Sequence, residues 1–465
     1  MDPVDELLRL TADYAAQYLG AVDDRPVRAE ASVQELRQAL GGALPEGPTP
    51  AEQVVAELVA AAEPGLVGIA GSRYFGFVIG GALPAAVAAD WLTSAWDQNA
   101  GLVAGGPSAA VVEEVSLAWL RELLGLPEHV SAGFVTGCQL AHLTALAAAR
   151  HHVLAARGWD VLRDGLQGAP RLRVVVGEER HVTVDRALRF LGLGSEQIET
   201  VPADGQGRMR AELLPEVLSR SEAPTIVSGQ AGNVNTGACD DLAAIADAAD
   251  AVGAWFHVDG AFGLWAAASP RHRHLVAGLE RADSWATDAH KWLNVPYDSG
   301  LAFCAHPESH RAAMSVRAAY LEQLEPDAAR DELDWNPEFS RRARGFPIYA
   351  ALRSLGRSGV AELVDRCCRH ASRFAELLGA EDGVEILNDV VLNQVLVRFG
   401  DDDALTQEVV RRVQEEGTLW LSGTVWQGRA AMRISVSSWR TTDGDVERSA
   451  ATILAAARNF VARSH

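Results

Sequence analysis

The stretch AWFHVDGA, residues 254–261, is an apolar run that ends in an acidic residue, Asp259. A second stretch, DAHKW at residues 288–292, follows another short β-rich run and contains Lys291. Both runs have the length and composition of buried strands. Because the carboxyl ends of parallel strands meet at one edge of a sheet, we expect Asp259 and Lys291 to reach the same crevice.

Outward from these motifs, short β-rich runs alternate with helical stretches between residues 71 and 305. The predicted strands are Leu172–Val176, Gln197–Val201, Thr225–Ser228, Ala254–Val258, Ser284–Ala286 and Gly300–Cys304. The predicted helices are Ser108–Leu124, Leu140–Ala156, His181–Leu191 and Asp240–Val252. This alternation predicts an α/β fold, with a mostly parallel sheet flanked by helices on both faces. Ligands of such sheets bind at the carboxyl ends of the strands.

Two further regions flank this large domain, which we place at residues 71–305. Residues 1–70 are predicted to form a helical N-terminal segment for packing or dimerisation, with helices Val4–Tyr18, Val33–Leu40 and Pro50–Ala62. Residues 306–465 are predicted to form a smaller α+β domain. Its predicted elements are helices Pro347–Leu355, Val360–Leu378 and Asp443–Ala462 and strands Gln394–Phe399 and Met432–Ser437.

The composition excludes several classes of partner. The 465 residues include 41 basic and 62 acidic ones, a net charge of 41 − 62 = −21, which argues against nucleic acid and anionic membranes. No stretch approaches the about 20 apolar residues of a membrane span, and the acidic start of the chain lacks signal-peptide features. The five cysteines form no CxxC pair, which indicates free thiols in a reducing compartment. We therefore expect a cytoplasmic protein.

Lysine occurs once in the sequence, at Lys291, and the other 40 of the 41 basic residues are arginines. Arginine replaces lysine readily on a solvated surface. It cannot replace a lysine whose amine must lose its proton and attack a carbonyl, because the guanidinium stays protonated. Alternatively, this one lysine survived by chance. The residues around Lys291 must therefore distinguish a catalytic lysine from a chance one.

Lys291 and Asp259 together supply what pyridoxal 5′-phosphate (PLP) requires. An amine holds the aldehyde of PLP as a Schiff base, and a carboxylate keeps the pyridine nitrogen protonated, which makes the ring an electron sink. Taken alone, an acidic residue at a strand end is more often a turn residue or a helix cap. The prediction of a PLP site therefore rests on the pair.

The motifs HVDGA, residues 257–261, and DAHKWLN, residues 288–294, resemble those of the group II PLP-dependent decarboxylases. The resemblance extends from about Tyr74 to the end of the chain. It implies the aspartate aminotransferase fold, known as fold type I, and a homodimer. It also implies that Lys291 is the Schiff-base lysine, Asp259 the partner of the pyridinium and Ala261 the small residue under the ring.

Further cofactor contacts are implied by the resemblance. His181 is similar to the histidine that stacks on the ring and takes part in proton transfer, although a single histidine is more often a surface or core residue. His290 resembles a histidine that contacts the phosphate. Cys138 and Gln139 lie in the turn before the predicted helix Leu140–Ala156, whose free N-terminal N–H groups suit a phosphate, although many such helix starts bind nothing.

The resemblance also implies catalytic and substrate-binding residues. Tyr320 matches a loop tyrosine that returns a proton to the substrate, with a core tyrosine of the small domain as the alternative. Arg433 resembles an arginine associated with the substrate carboxylate or with the structure of the site. Tyr74 and Phe75 begin an aromatic segment, residues 74–99, which is similar to the family's substrate side.

Three features depart from the family pattern or compete with it. Asn233 and Val234 stand where the family has two threonines, so Asn235 or Thr236 is a candidate for the missing hydrogen bond to the phenolic oxygen of the ring. His142 replaces a residue of the family's phosphate helix; it could reach the site, but a histidine with a structural partner is the favoured interpretation. The pairs His151-His152 and His272/His274 have no accompanying ligands at suitable spacing, so we predict no metal site.

The sequence thus predicts PLP-dependent decarboxylation of an L-amino acid, with an aromatic or apolar side chain favoured. One alternative is a different reaction on the same scaffold, decarboxylation coupled to oxidative deamination, which yields an aldehyde. In the family that switch accompanies loss of the loop tyrosine or the stacking histidine, and Tyr320 and His181 are both present. The other alternative is a scaffold that binds PLP without turnover, which the retained Lys291 disfavours.

Overall fold

The computed structural model describes residues 2–316 and 330–461. It contains two sheets, and the larger one supplies the crevice predicted from the sequence. The larger sheet has seven strands in the order β1-β7-β6-β5-β4-β2-β3. These strands are β1 (Ser131–Val135), β2 (Arg173–Gly177), β3 (Ile198–Val201), β4 (Thr225–Gln230), β5 (Trp255–Asp259), β6 (Ser284–Asp288) and β7 (Gly300–Cys304).

Helices cover the sheet and extend from it at both ends of the chain. Before β1 lie α1 (Pro3–Ala21), α2 (Val33–Leu40), α3 (Ala51–Ala62), α4 (Pro84–Trp96) and α5 (Pro107–Leu124). Between the strands lie α6 (Cys138–Ala155), α7 (Val161–Asp164), α8 (Val182–Phe190), α9 (Leu214–Ser219) and α10 (Leu242–Asp250). After β7 come α11 (Pro307–Met314), α12 (Gly345–Gly379), α13 (Asp403–Glu416) and α14 (Asp443–Val461).

The direction of the strands creates one functional edge. β6, β5, β4, β2 and β3 run parallel, whereas β7 is antiparallel to both β6 and β1. β1 therefore runs in the same direction as the parallel strands. The carboxyl ends of β1, β2, β4, β5 and β6 consequently meet at the same edge, where a doubly wound sheet binds its ligands.

The smaller sheet is antiparallel, with four strands in the order β10-β11-β9-β8. Its strands are β8 (Val384–Ile386), β9 (Gln394–Phe399), β10 (Ser422–Trp426) and β11 (Arg429–Ser435). The predicted fold class, a mostly parallel sheet flanked by helices with a smaller α+β part, is confirmed. The two helices predicted at 347–355 and 360–378 form α12, which is interrupted at Gly356 with φ 62°.

The larger sheet is buried because its strands are apolar on both faces. In β2 the run Val174–Val176 is fully buried, as expected for a central strand covered on both sides. β1 was not predicted, because its sequence Ser-Ala-Gly-Phe-Val has little β-propensity of its own. It is a strand because its five residues pair with β7.

Candidate active site

A cavity of ≈ 420 Å³, partly open to solvent, lies at the carboxyl edge of the larger sheet. β4, β5 and β6 contribute their last residues, Gln230, Asp259 and Asp288, and the segments after β1 and β2 also line it. The lining residues are Phe77, Val78, Gly137, Cys138, Gln139, His181, Thr183, Gln230, Gly232, Val234, Asp259, Ala261, Phe262, Asp288, His290, Lys291 and Arg433. The structure therefore brings Lys291 and Asp259 to one cavity from the ends of two adjacent strands.

Lys291 lies three residues after the end of β6, and its amine pairs with the carboxylate of Asp288. Its Nζ is 2.9 Å from Oδ2 of Asp288. Burial by itself lowers the pKa of Lys291, but the carboxylate of Asp288 raises it above the usual value for lysine. The amine is therefore a cation at neutral pH and must pass on a proton before it attacks a carbonyl. The sequence analysis did not identify Asp288, although its position three residues before Lys291 was a usable signal.

Asp259, the last residue of β5, is almost completely buried. Its Oδ1 accepts a hydrogen bond from the backbone N–H of Ala261 at 3.2 Å and lies 3.5 Å from Nε2 of His142. Burial by itself raises the pKa of Asp259, but His142, His181 and Lys291 outweigh it and hold the pKa below the usual range. The carboxylate consequently stays ionised at any physiological pH.

His181 caps the N-terminus of α8 and lines the cavity. Its Nδ1 accepts the backbone N–H of Thr183 at 3.4 Å and lies 2.8 Å from the Thr183 hydroxyl. Burial lowers the pKa of His181, so the ring is neutral at pH 7 and its proton is on Nε2. The other predicted proton donor, Tyr320, lies outside the described residues.

His290 is held in one tautomer by its neighbours. Its Nδ1 accepts the backbone N–H of Ser299 at 3.1 Å, which places the proton of the neutral ring on Nε2, 3.3 Å from Oδ1 of Asp288. Burial lowers the pKa of His290. The ring of Tyr297 lies with its centroid 4.3 Å from that of His290. His290 therefore lines the cavity as a neutral hydrogen-bond donor.

The start of α6 differs from the simple phosphate cup that the sequence suggested. The backbone N–H of Cys138 donates to Oδ1 of Asp288 at 2.6 Å, so this donor already has an acceptor. Burial raises the pKa of Cys138 well above the usual value, so the side chain is a thiol. Gln139 donates from Nε2 to the carbonyl of Thr183 at 3.2 Å, and its buried Oε1 has no partner in the described part of the chain. The roles of Cys138 and Gln139 in phosphate binding stay predictions.

Asn235 is not part of the cavity lining. Its Oδ1 accepts hydrogen bonds from the hydroxyl of Thr424 at 3.0 Å and from Nη1 of Arg433 at 3.4 Å, so it joins the two sheets. Gln230, at the end of β4, does line the cavity and was missed because the predicted strand ended at Ser228. Arg433 lines the cavity from β11, and its Nε is buried without a partner among the described residues.

The aromatic segment contributes through a residue other than the two predicted. Tyr74 stacks on Trp420 with ring centroids 5.1 Å apart, and Phe75 is fully buried edge-on against Phe374 at 5.0 Å. Neither belongs to the cavity lining. Phe77 does line it, half-exposed and 5.1 Å from the ring of Trp420. The backbone turns between these residues, so side chains that are adjacent in sequence separate into core and cavity.

Among the described residues, the pairs His151-His152 and His272/His274 do not form a metal site. Another group of side chains has potential ligand atoms close enough together to hold a metal. Sγ of Cys138, Nε2 of His142 and an oxygen of Asp259 lie within 4.8 Å of one another. A metal there would compete with a pyridine ring for the Asp259 carboxylate.

Residues 34–399 match the family model described as the pyridoxal-dependent decarboxylase conserved domain. The chain belongs to this family. It is therefore a PLP-dependent enzyme that decarboxylates an amino acid, a carboxy-lyase, as the motifs around Lys291 predicted. In the described parts of this decarboxylase, no helix combines the length and the apolar character of a transmembrane span.

Several relatives resemble this decarboxylase over nearly its whole length. Tryptophan decarboxylase 1 of Oryza sativa subsp. japonica is 27% identical, covering 94% of this chain and 90% of the relative. Phenylacetaldehyde synthase of Arabidopsis thaliana is 26% identical, covering 94% and 92%. The crystal structure of Oryza sativa TDC with PLP and tryptamine shares the fold with a TM-score of 0.92 at 24% identity, covering 99% of this chain and 98% of that one.

The residues of the decarboxylase cavity suit PLP. An amine and an ionised carboxylate reach one cavity, which is the donor set that the aldehyde and the pyridine nitrogen need. In the cavity wall, Gly137 lets His290 and Asp288 pack closely on the backbone, because a Cβ there would come within 3.1 Å of the His290 ring and 3.3 Å of Asp288. Lys291, Asp259, Ala261 and His181 are the side chains best placed to hold the cofactor.

Proposed function

We propose that this decarboxylase acts on an aromatic L-amino acid and releases CO2 and the corresponding amine. The observation that carries the proposal is the convergence of Lys291, Asp259 and Phe77 on one cavity. Phe77 packs against Trp420 and offers the aromatic face that an aromatic side chain prefers. Relatives named for tryptophan and for aromatic L-amino acids support the same substrate class.

Four polar residues of the cavity have proposed tasks. PLP, when bound, supplies a ring that accepts the electrons of the broken bond between Cα and the carboxyl group. Lys291 holds the aldehyde carbon of the cofactor, and Asp259 holds a proton on the ring nitrogen. His181 presents its Nε2–H to the cavity and is placed to exchange a proton with Cα. Arg433, whose Nε lacks a partner among the described residues, offers a cation to the substrate carboxylate.

A panel of L-amino acids, scored for CO2, amine, aldehyde and hydrogen peroxide, tests the proposal. We expect aromatic L-amino acids to yield equal amounts of CO2 and amine. Aldehyde and peroxide in place of amine would instead establish oxidative deamination, and preference for an acidic or aliphatic substrate would refute the aromatic assignment. Reduction with borohydride should attach the pyridoxyl group to Lys291, which is the one lysine in the sequence.

The Asp288→Asn variant is expected to attach PLP faster than wild type at neutral pH. Burial lowers the pKa of Lys291 and Asp288 raises it, so without this carboxylate the pKa falls and more of the amine is neutral at pH 7. Asparagine still offers an oxygen to the N–H of Cys138. The rate at which the apo-protein gains the visible absorbance of bound cofactor, followed against pH, measures the effect. A pH profile displaced to higher pH would contradict the assigned role of Asp288.

We also propose that two copies of the chain form a homodimer in the cytoplasm. The helices α1, α2 and α3 bury none of their residues within the chain, and Trp91 and Trp96 of α4 are 44% and 48% exposed. Apolar surface of this kind is typical of a protein interface. All five cysteines are free and buried, which suits a reducing compartment. Light scattering at micromolar concentration should give twice the mass of the 49.6 kDa chain, and a monomer would contradict the dimer.

For the domain limits we propose residues 1–70, 71–305 and 306–465. The larger sheet, from Ser131 to Cys304, falls within the second range, and the smaller sheet, from Val384 to Ser435, falls within the third. Limited proteolysis that cuts first near these limits would support the division. A first cut inside either sheet would contradict it.

A further inference from the structure

Four buried side chains form a hydrogen-bonded row that ends at Asp259. Nε1–H of Trp255 donates to Oγ of Ser284 at 2.8 Å, and Nδ1 of His257 lies 2.9 Å from the same oxygen. Nε2 of His257 is 2.9 Å from Nδ1 of His142. Nε2 of His142 then lies 3.5 Å from Oδ1 of Asp259.

The sheet explains why these residues align. Trp255, His257 and Asp259 occupy alternate positions of β5, so their side chains lie on one face of the strand. Ser284 is the partner of His257 on the neighbouring strand β6. His142 reaches the same face from α6, which packs against both strands. The row therefore combines two strands and one helix.

The donors and acceptors of the row leave few arrangements of protons. Trp255 can only donate, and burial lowers the pKa of His257 to about 3, so His257 is neutral and carries one proton. If Ser284 donates to His257, then His257 donates to Nδ1 of a neutral His142, whose proton is on Nε2. If His257 instead donates to Ser284, His142 must donate from Nδ1.

In that second arrangement, a neutral His142 would turn its Nε2 lone pair towards the ionised Asp259 at 3.5 Å. Sγ of Cys138 lies 3.4 Å from the same nitrogen, but a thiol is a weak donor and does not offset the repulsion, which excludes this arrangement. His142 must then be an imidazolium, which again carries a proton on Nε2. Both arrangements that remain place an N–H of His142 towards Oδ1 of Asp259. They differ in the tautomer of His257 and in one additional proton on His142.

Packing alone does not require this row. Each member is at most 2% exposed, and burying polar groups costs free energy that their mutual hydrogen bonds only offset. Apolar side chains of similar shape would serve a purely structural purpose nearly as well. The distinctive result of the row is a donor of defined tautomer at the carboxylate that faces the cavity.

We propose that His142 is a positioning residue for Asp259, fixing which carboxylate oxygen faces the pyridine nitrogen of the cofactor. The N–H of His142 and the backbone N–H of Ala261 both point to Oδ1 of Asp259, which leaves Oδ2 of Asp259 for the ring nitrogen. The proposal rests on the role of Asp259 in the proposed function. It adds that the row from Trp255 to His142 sets the strength of that contact.

A bound metal is the competing interpretation of the same residues. Cys138, His142 and Asp259 place potential ligand atoms within 4.8 Å of one another. A metal requires a lone pair on Nε2 of His142, which is the opposite of the tautomer deduced here. Burial and two nearby carboxylates also raise the pKa of Cys138, and a thiol binds metals less well than a thiolate. The metal is therefore an outcome that the experiment must detect.

The experiment compares two cofactors on the full-length apo-protein. One is PLP, and the other is the analogue in which a CH group replaces the ring nitrogen. We expect His142→Leu to weaken PLP binding about 10- to 100-fold, as for loss of a hydrogen bond to a charged group, and to leave binding of the analogue unchanged. His142→Gln, whose amide offers an N–H near the position of Nε2, should restore most of the affinity.

Thr144→Val is the matched control, because Thr144 is buried on the same helix and, within the described residues, its hydroxyl bonds only the carbonyl of Leu140. We expect it to leave both affinities unchanged. Equal losses for PLP and the analogue in His142→Leu would show a merely structural role and overturn the proposal. Stoichiometric zinc that is present in wild type and lost in His142→Leu would overturn it as well. Both affinities are measured without turnover, so an error in the proposed substrate would leave this test intact.

Discussion

Replacing Lys291 by arginine is expected to lower turnover of the preferred amino acid by about 10³-fold or more. Arginine keeps a positive charge beside Asp288, with which Lys291 pairs at 2.9 Å. It cannot release a proton at neutral pH, so it cannot form the covalent link to the cofactor aldehyde. The measurement is the steady-state rate of CO2 release with PLP in excess.

The same variant should lose the visible absorbance of bound cofactor while its thermal unfolding temperature changes little. Because the sequence contains one lysine, no second lysine of the chain can substitute for it. Lys291→Met serves as the control, since it removes both the amine and the charge and leaves Asp288 without its cation. Turnover by Lys291→Arg close to that of wild type would show that the covalent link is made elsewhere.

The Asp259→Asn variant is expected to lose about 10²-fold or more in turnover at saturating PLP. Asparagine keeps the size of the side chain, and its oxygen still accepts from the N–H of Ala261. Its neutral amide, however, cannot hold a proton on the ring nitrogen, so the ring accepts electrons less well. CO2 release under single-turnover conditions separates this chemical loss from weaker cofactor binding.

Asp259→Glu is the matched comparison, because it keeps the charge but displaces it by one methylene. We expect it to retain more activity than Asp259→Asn, although less than wild type. The pKa of Asp259 is held below its usual range, so protonation of this residue should not limit activity as the pH falls to mildly acidic values. If Asp259→Asn matched wild type in single turnover, the carboxylate would have no part in the chemistry.

Local sequence patterns predicted most strands of the two sheets but not all of them. The apolar runs of β2, β5 and β7 correctly predicted strands. The limits of β7 and β9 are those predicted. β1, β8 and β10 were missed. β8 has three residues, and β10 alternates buried and exposed positions with a glycine inside it. Strands of this kind exist because a neighbouring strand pairs with them, which a window of sequence cannot reveal.

The aromatic segment near the start of the large domain shows a similar limit. Its composition predicted a substrate side, and the structure brings Phe77 to the cavity while Tyr74 and Phe75 lie against Trp420 and Phe374. Which of several consecutive aromatic side chains reaches a cavity depends on the course of the backbone. Composition alone therefore indicates the segment but not the residue.

The sequence by itself determined the cofactor chemistry of this protein, because the amine of Lys291 and the carboxylate of Asp259 each follow a short apolar strand within one continuous stretch of chain. Only the tertiary structure decided how these groups are controlled. Asp288 meets the N–H of Cys138 from 150 positions away, and His142 meets His257 from 115 positions away. Such contacts arise where α6 packs across the sheet. Burial there makes each hydrogen bond electrostatically stronger than it would be in water.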